Sequence, residues 1–247
     1  TTARVDLTNH EVINISGKHV YPGLILPNSP IGLQEVSAIR AMNDYNEHGV
    51  LNPNVRSVVS YNTDSEYIPT FRFNGVLLAE SVPTGGLISG SSSVMEMEGW
   101  NWEDAAHTMD MGIHLNWPAL TRRQFDFATF TFAESPNRDY EKQVGELELF
   151  FGQSVAYGNQ ATKESNLKLE AMQGLFNGKK TLFIHANTPK EIVESVRFAK
   201  LGGVKKITVI TGSSALWVSD FLKENKIPVI LPATHNLPDR NDDDVDL

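Results

Sequence analysis

The sequence contains no cysteine, which excludes disulfide bonds and metal centres ligated by thiolates. It has no apolar run near the ~18 residues that a membrane-spanning helix needs, so we expect no membrane span. Positive charge is scarce: 21 Lys and Arg stand against 30 Asp and Glu, which gives a net charge of -9. Because phosphate binding needs clustered basic side chains, we expect no nucleic-acid partner.

The first residues also lack the charged and then apolar pattern of a signal peptide. The chain begins Thr-Thr-Ala-Arg without a Met, which is typical of a processed product or of a segment of a longer polypeptide. Targeting information would lie in the missing part, so the sequence leaves the cellular compartment open.

What the sequence does contain is enough apolar residues, 40% of 247, for one large α/β barrel or two smaller domains. The clearest part is the C-terminal one, where apolar strands at 181–186, 207–210 and 227–231 alternate with helical segments. Thr188-Pro189-Lys190-Glu191 has the pattern of a capping box, with Pro at the first helical position. This β-α-β-α-β order predicts a parallel sheet with right-handed connections.

The remainder of the chain has weaker signals. Apolar periodicity predicts helices over 32–48, 137–157 and 162–176. Strands are predicted over 20–25, 55–60, 75–80, 94–102 and 113–117, and 83–93 is expected to be a Gly/Ser loop.

The run Val20-Tyr21-Pro22-Gly23-Leu24-Ile25-Leu26-Pro27-Asn28-Ser29-Pro30 resembles the first barrel strand of the amidohydrolase superfamily. The loop over 85–90 and the segment Ile184-His185-Ala186 are also similar to its imidazolonepropionase-type branch. The resemblance implies an α/β fold, a (β/α)8 TIM-type barrel beside a small β-sandwich. Residues 1–19 would be the tail of that sandwich, and residues 20–247 a barrel that lacks its last strand. We therefore expect a piece of a longer protein, or one of two products.

The resemblance also implies a metal site whose ligands are substituted here. In the family, an Asp-x-His-x-His run follows the first strand, and Leu26, Asn28 and Pro30 stand at those three positions. Thr211 stands where the family has the histidine after strand six. Pro30 has no side-chain donor atom, and neutral amide and hydroxyl oxygens are weak zinc ligands. Zinc or another divalent metal is the implied cofactor, but these substitutions argue against the usual metal-bound water.

Two histidines remain as candidates. His185 aligns with the strand-five metal ligand of the family, so it is a candidate ligand or general base, with a purely structural role as the alternative. His235, just after the predicted last strand, is a candidate substrate or metal contact. His114 could add a third ligand, but nothing in the sequence places it near the other two.

Three functions remain open from the sequence. The first is a hydrolase of C–N bonds in small, non-peptide amides, or a degenerate descendant of one. The second is a non-catalytic barrel that acts as a binding or assembly module, with the missing remainder of its own polypeptide as partner. The third is a doubly wound nucleotide-binding domain built on the turn at 211–214, which does not explain the N-terminal Pro-Gly strand.

Overall fold

The computed structural model describes residues 11, 13–36, 39–126, 131–162 and 164–232. Its strands are β1 Leu24–Ser29, β2 Val76–Ser81, β3 Ile88–Glu96, β4 Ala106–Asn116, β5 Thr121–Asp126, β6 Thr131–Pro136, β7 Thr181–His185, β8 Ile207–Ile210 and β9 Val229–Ile230. Its α-helices are α1 Tyr67–Phe73, α2 Trp102–Ala105, α3 Tyr140–Gly158, α4 Leu167–Phe176, α5 Pro189–Leu201, α6 Ser214–Trp217 and α7 Ser219–Glu224. None of the helices in these ranges is both long and apolar enough to cross a bilayer.

Seven strands form one barrel-like, nearly closed sheet in the order β1-β2-β3-β4-β7-β8-β9, and β5 and β6 form a separate hairpin. Six of the seven run in one direction, whereas β3 is antiparallel to both neighbours. The reason is the length of the connections, since residues 82–87 and 97–105 are too few for a parallel crossover. The expected mixed α/β class is confirmed, and the parallel sheet is confirmed except at β3.

The C-terminal β-α-β-α-β unit is confirmed in order and direction. The Thr188 hydroxyl accepts a hydrogen bond from the Glu191 amide at 3.3 Å, and the Glu191 carboxylate accepts one from the Thr188 amide at 3.0 Å. These reciprocal bonds satisfy N–H groups that a helix start leaves without partners. Helix α4 lies within the predicted segment 162–176, and α3 begins within the predicted segment 137–157 and ends one residue beyond it.

Four predictions from the N-terminal half are wrong. One is the strand at 94–102, because β3 ends at Glu96 and Trp102 begins α2. Instead of a helix, the described residues of 32–48 form turns and one 3-10 turn at Arg40–Met42, and three of the apolar residues on the supposed helix face are exposed: Val36, Ile39 and Met42. The predicted strand at 55–60 is a 3-10 turn, Ser57–Ser60. Residues 88–93 of the predicted Gly/Ser loop belong to strand β3. Serine hydroxyls form hydrogen bonds in this strand; the Ser91 hydroxyl, for example, donates to the Pro53 carbonyl at 3.4 Å.

The first strand lies slightly later than predicted and includes Pro27. Proline is tolerated there because β1 is at the edge of the sheet and pairs with β2 alone among the described strands. The predicted β-sandwich tail at 1–19 lies mostly outside the described residues, and residues 13–19 contain no strand.

The main apolar core lies between the sheet and helices α3, α4 and α5. Strands β4 and β7 contribute Ile113, Leu115, Leu182 and Ile184 to it. Successive side chains of a strand point to opposite faces, so His114 and His185 face away from this core. The sheet therefore separates an apolar layer under the helices from a polar inner face.

We expect Glu191→Ala to lower the free energy of unfolding by about 3 kcal/mol or more. Glu191 is buried, and its carboxylate accepts hydrogen bonds from the backbone N–H groups of Leu120, Asn187 and Thr188 at 2.8, 3.0 and 3.0 Å. Denaturant unfolding measures the change, with Glu224→Ala at an exposed helix end as the control. Equal losses in the two variants would contradict this role.

Candidate active site

Three titratable side chains from three strands meet on the inner face of the sheet: Glu80 of β2, His114 of β4 and His185 of β7. His114 Nδ1 lies 3.0 Å from His185 Nε2. His114 Nε2 lies 3.4 Å from Glu80 Oε1. This contact is an electrostatic one, because its geometry is not that of a hydrogen bond. The His114 side chain is fully buried, and Glu80 and His185 are the titratable groups that it contacts. We call the three residues the polar chain.

Glu80 is a buried carboxylate that several donors surround. The Ser92 hydroxyl donates to Oε1 at 2.8 Å, and the Asn28 amide donates to Oε2 at 3.1 Å. Burial alone would raise the pKa of Glu80, but the contact with His114 and the hydrogen bonds from Ser92 and from the backbone N–H of Asn28 hold this pKa below its usual value. Glu80 is therefore ionised at neutral pH.

His114 is held in place by its strand register and by stacking. It pairs with Phe183 across β4 and β7, and the two rings are stacked with centroids 4.8 Å apart. An ionised Glu80 favours a hydrogen on the facing Nε2 of His114. When His114 is neutral, its Nδ1 then accepts the hydrogen of His185 Nε2, and the lone pair of His185 is on Nδ1.

His185 is the last residue of β7, which ends one residue earlier than the predicted strand at 181–186. Burial, followed by the charge of His114, lowers its pKa to about 3, and the negative charge of Glu80 opposes this shift. His185 is therefore neutral at physiological pH. It lies at the C-terminal end of a parallel strand, where barrel enzymes carry their reactive groups.

The other predicted residues contribute unequally. Thr211 follows β8 directly and lies one residue beyond Ile210, the partner of His185 in the neighbouring strand. Its hydroxyl is buried and has no hydrogen-bond partner in the part of the chain that the structure describes. Asn28 reaches the polar chain through its backbone amide, at a positive φ of 49°. Pro30 is exposed, and His235 lies outside the described residues.

The described residues do not fit a catalytic zinc ion. A catalytic zinc usually needs three protein ligands and an open position for water, yet no group of three His, Asp or Glu side chains within the described ranges could hold a metal. The facing nitrogens of His114 and His185 are engaged with one another at 3.0 Å. Metal binding therefore stays a prediction.

The sequence analysis did not identify Glu80 as a site residue, and it did not place His114 near His185. One signal for Glu80 was present, since it is a carboxylate near the end of the otherwise apolar strand Val76-Leu77-Leu78-Ala79. For His114 the signal was its place between Ile113 and Leu115 in an apolar strand. Neither signal indicates that the two side chains meet.

Comparisons with known proteins show which fold the chain resembles. No protein-family model matches the sequence, and a search of curated proteins found no match. Among solved structures, the chain is similar to an amidohydrolase from Thermotoga maritima MSB8, with a TM-score of 0.80 at 20% sequence identity. The similarity covers 96% of this chain and 63% of that protein. The fold is thus amidohydrolase-like, and the chain spans less than two thirds of the length of this structural relative.

We expect the chain to retain far less than one zinc ion per molecule after incubation with zinc and extensive dialysis, because the described residues offer no three-ligand set. Elemental mass spectrometry measures the content. His185→Ala and the exposed-site control His19→Ala should then give the same low value. About one zinc per chain, lost in the first variant and kept in the second, would make His185 a metal ligand.

We also expect His185 to make the protein less stable in acid. The unfolded chain protonates this imidazole near pH 6.5, whereas the folded chain does so only at about pH 3. The unfolded state therefore takes up the proton first as the pH falls, and the fold loses stability between these two values. Relative to wild type, His185→Gln should flatten the slope by up to about 1.4 kcal/mol per pH unit.

Denaturant unfolding at pH 7, 6, 5 and 4 measures this slope, with His19→Gln as the matched control. The same flattening in both variants would contradict a specific effect of His185.

Proposed function

We propose that this chain is the major part of an amidohydrolase-like hydrolase that cleaves C–N bonds in small, non-peptide amides. The observation that carries the proposal is the polar chain, which places His185 at the C-terminal end of a barrel strand in a fold similar to an amidohydrolase. The earlier resemblance to the imidazolonepropionase-type branch favours cyclic amides as the substrate class.

The chemistry follows from the order of the three groups. Glu80 orients His114, and His114 Nδ1 holds the Nε2 hydrogen of His185, which leaves the Nδ1 lone pair of His185 for a water molecule. As the water oxygen bonds to the amide carbon, His185 accepts the water proton. It then gives this proton to the amide nitrogen as the C–N bond breaks, which yields an amine and a carboxylic acid. This is the logic of a base that a second group orients.

Thr211 is the candidate for stabilising the charge that develops on the amide oxygen. Its buried hydroxyl makes no other hydrogen bond within the described residues and follows the strand that neighbours His185. A donor that is already desolvated and without a partner gains most from a developing oxyanion. His235 stays a predicted substrate contact.

We expect the chain to hydrolyse members of a panel of five-membered cyclic amides, such as hydantoin, and of linear N-acyl anilides. His185→Gln should lower kcat/KM by about 10²-fold or more, because it removes the base. Thr211→Val should lower kcat with little change in KM, because it removes a donor used only in the transition state. Product release by liquid chromatography measures the rates, with and without a chelator.

The pH profile gives a second readout. Since the pKa of His185 is about 3, its base form is present throughout pH 5 to 8, and kcat/KM should show no limb near pH 6.5. His19→Gln is the control for the variants, and His235→Ala tests the predicted substrate contact. Turnover that survives in His185→Gln, or that the chelator abolishes, would contradict the proposed role of His185.

A non-catalytic barrel is the second candidate, and one observation favours it. The described residues contain no group of three His, Asp or Glu side chains that could hold a metal, and His114 and His185 contact one another across the sheet. In that case the barrel, over 20–247, would serve as an assembly module whose partner is the remainder of a longer polypeptide, with 1–19 as the tail of a β-sandwich. No turnover on the whole panel, in a folded protein, would favour this candidate.

A further inference from the structure

A groove with an aromatic lining lies on the helical side of the sheet, between α3 and α5. It encloses about 900 Å³, and its apolar wall includes Trp117, Phe151, Phe176 and Phe198. Phe151 and Phe198 meet edge to face, with ring centroids 4.9 Å apart. The volume lies within the range of small-molecule sites in proteins. The apolar core that includes Ile113 and Ile184 separates this groove from the polar chain.

One end of the groove carries an oriented chain of hydrogen bonds. The indole Nε1–H of Trp117 donates to the Tyr140 hydroxyl at 3.2 Å, and that hydroxyl donates to the Glu194 carboxylate. Burial, together with the neighbouring Glu194 and Glu191 carboxylates, raises the pKa of Tyr140 to about 12. The Tyr140 phenol therefore stays neutral. The negative charge of this series of hydrogen bonds lies on the Glu194 carboxylate.

The lining of the groove carries more acidic than basic side chains. Glu141, Glu148 and Glu194 line it, and among the described residues neither Glu141 nor Glu148 forms an ion pair. Two cations also line the groove, Arg197 and Lys205. The Arg197 guanidinium lies 5.9 Å from the centre of the Phe221 ring, a cation-π contact outside the groove lining.

The Glu194 carboxylate has a weak counter-charge. Its contact with Lys190 is a solvent-exposed pair at 3.7 Å, the kind of pair that contributes little stability. A second cation at Glu194 would therefore replace solvent and would not have to displace a strong ion pair.

We propose that this groove binds an organic ammonium ion with an apolar body. The aromatic wall would bury the body, and the cationic head would lie at the carboxylate end, against Glu194 and the electron-rich faces of Trp117 and Tyr140. An anion of the same shape would be disfavoured by the net negative charge of the lining, which has three carboxylates and two cations. A neutral molecule would gain only the burial of its apolar surface.

A matched set of probes tests this charge preference: 4-phenylbutylamine, 4-phenylbutan-1-ol and 4-phenylbutyrate. In titration calorimetry on the full chain, we expect the amine to bind about tenfold more tightly than the alcohol and the carboxylate most weakly. Glu194→Gln should remove most of the preference for the amine while alcohol binding stays unchanged, since Gln still accepts the Tyr140 hydrogen bond. Glu224→Gln, the same charge change at an exposed site outside the groove lining, should change neither.

Several results would overturn the proposal. They are equal binding of the three probes, no binding at millimolar concentration, or the same loss in Glu224→Gln as in Glu194→Gln. Phe198→Ala should weaken both amine and alcohol, and unchanged binding in that variant would place the probes elsewhere. Sedimentation velocity tests a second copy of the chain as occupant: a dimer that Val155→Arg disrupts would overturn the small-cation proposal.

Discussion

An ionised carboxylate on the inner face of the sheet is the constraint on which the arrangement of β1, β2, β3 and β4 depends. A buried charge without partners costs several kcal/mol, so Glu80 of β2 requires donors from its surroundings. They come from three other strands: the Asn28 amide of β1, the Ser92 hydroxyl of β3 and the His114 imidazole of β4. One side chain thereby ties four strands together. Two of these donors are a serine at the centre of β3 and the backbone N–H of Asn28, a residue with a left-handed backbone.

How well the fold could be predicted depends on where the information lies. The C-terminal half carries local signals, because the capping box at Thr188 and Glu191 and the short apolar strands specify their structure within a few residues. In the N-terminal half, spacing alone was misleading: the apolar residues of 32–48 recur at helical intervals, yet Leu33 is buried while Val36 is exposed. The connections there are instead specified by contacts between residues distant in sequence, such as the hydrogen bond from the backbone N–H of Asn62 to the Gly32 carbonyl.

The candidate site could be predicted only in part, for a related reason. His185 was recognisable because it ends a clear parallel strand, and strand ends meet at one edge of a barrel. Its partner His114 lies 71 residues earlier, and the two meet only through the pairing of β4 with β7, whose register places Phe183 opposite His114. Glu80 depends in turn on the antiparallel β3 between β2 and β4. Strand order and register are properties of the whole sheet, and no local pattern specifies them.

The same two strands, β4 and β7, have opposite chemistry on their two faces. On one face His114 and His185 belong to the polar chain, and on the other Ile113 and Ile184 are fully buried beneath the helices. Trp117 contacts both regions. Its backbone N–H donates to the His185 carbonyl at 3.0 Å, and its indole lines the groove. This link is made by the backbone, and no side chain of the groove is part of the polar chain. The proposed chemistry and the proposed binding of a cation therefore belong to opposite faces of one sheet.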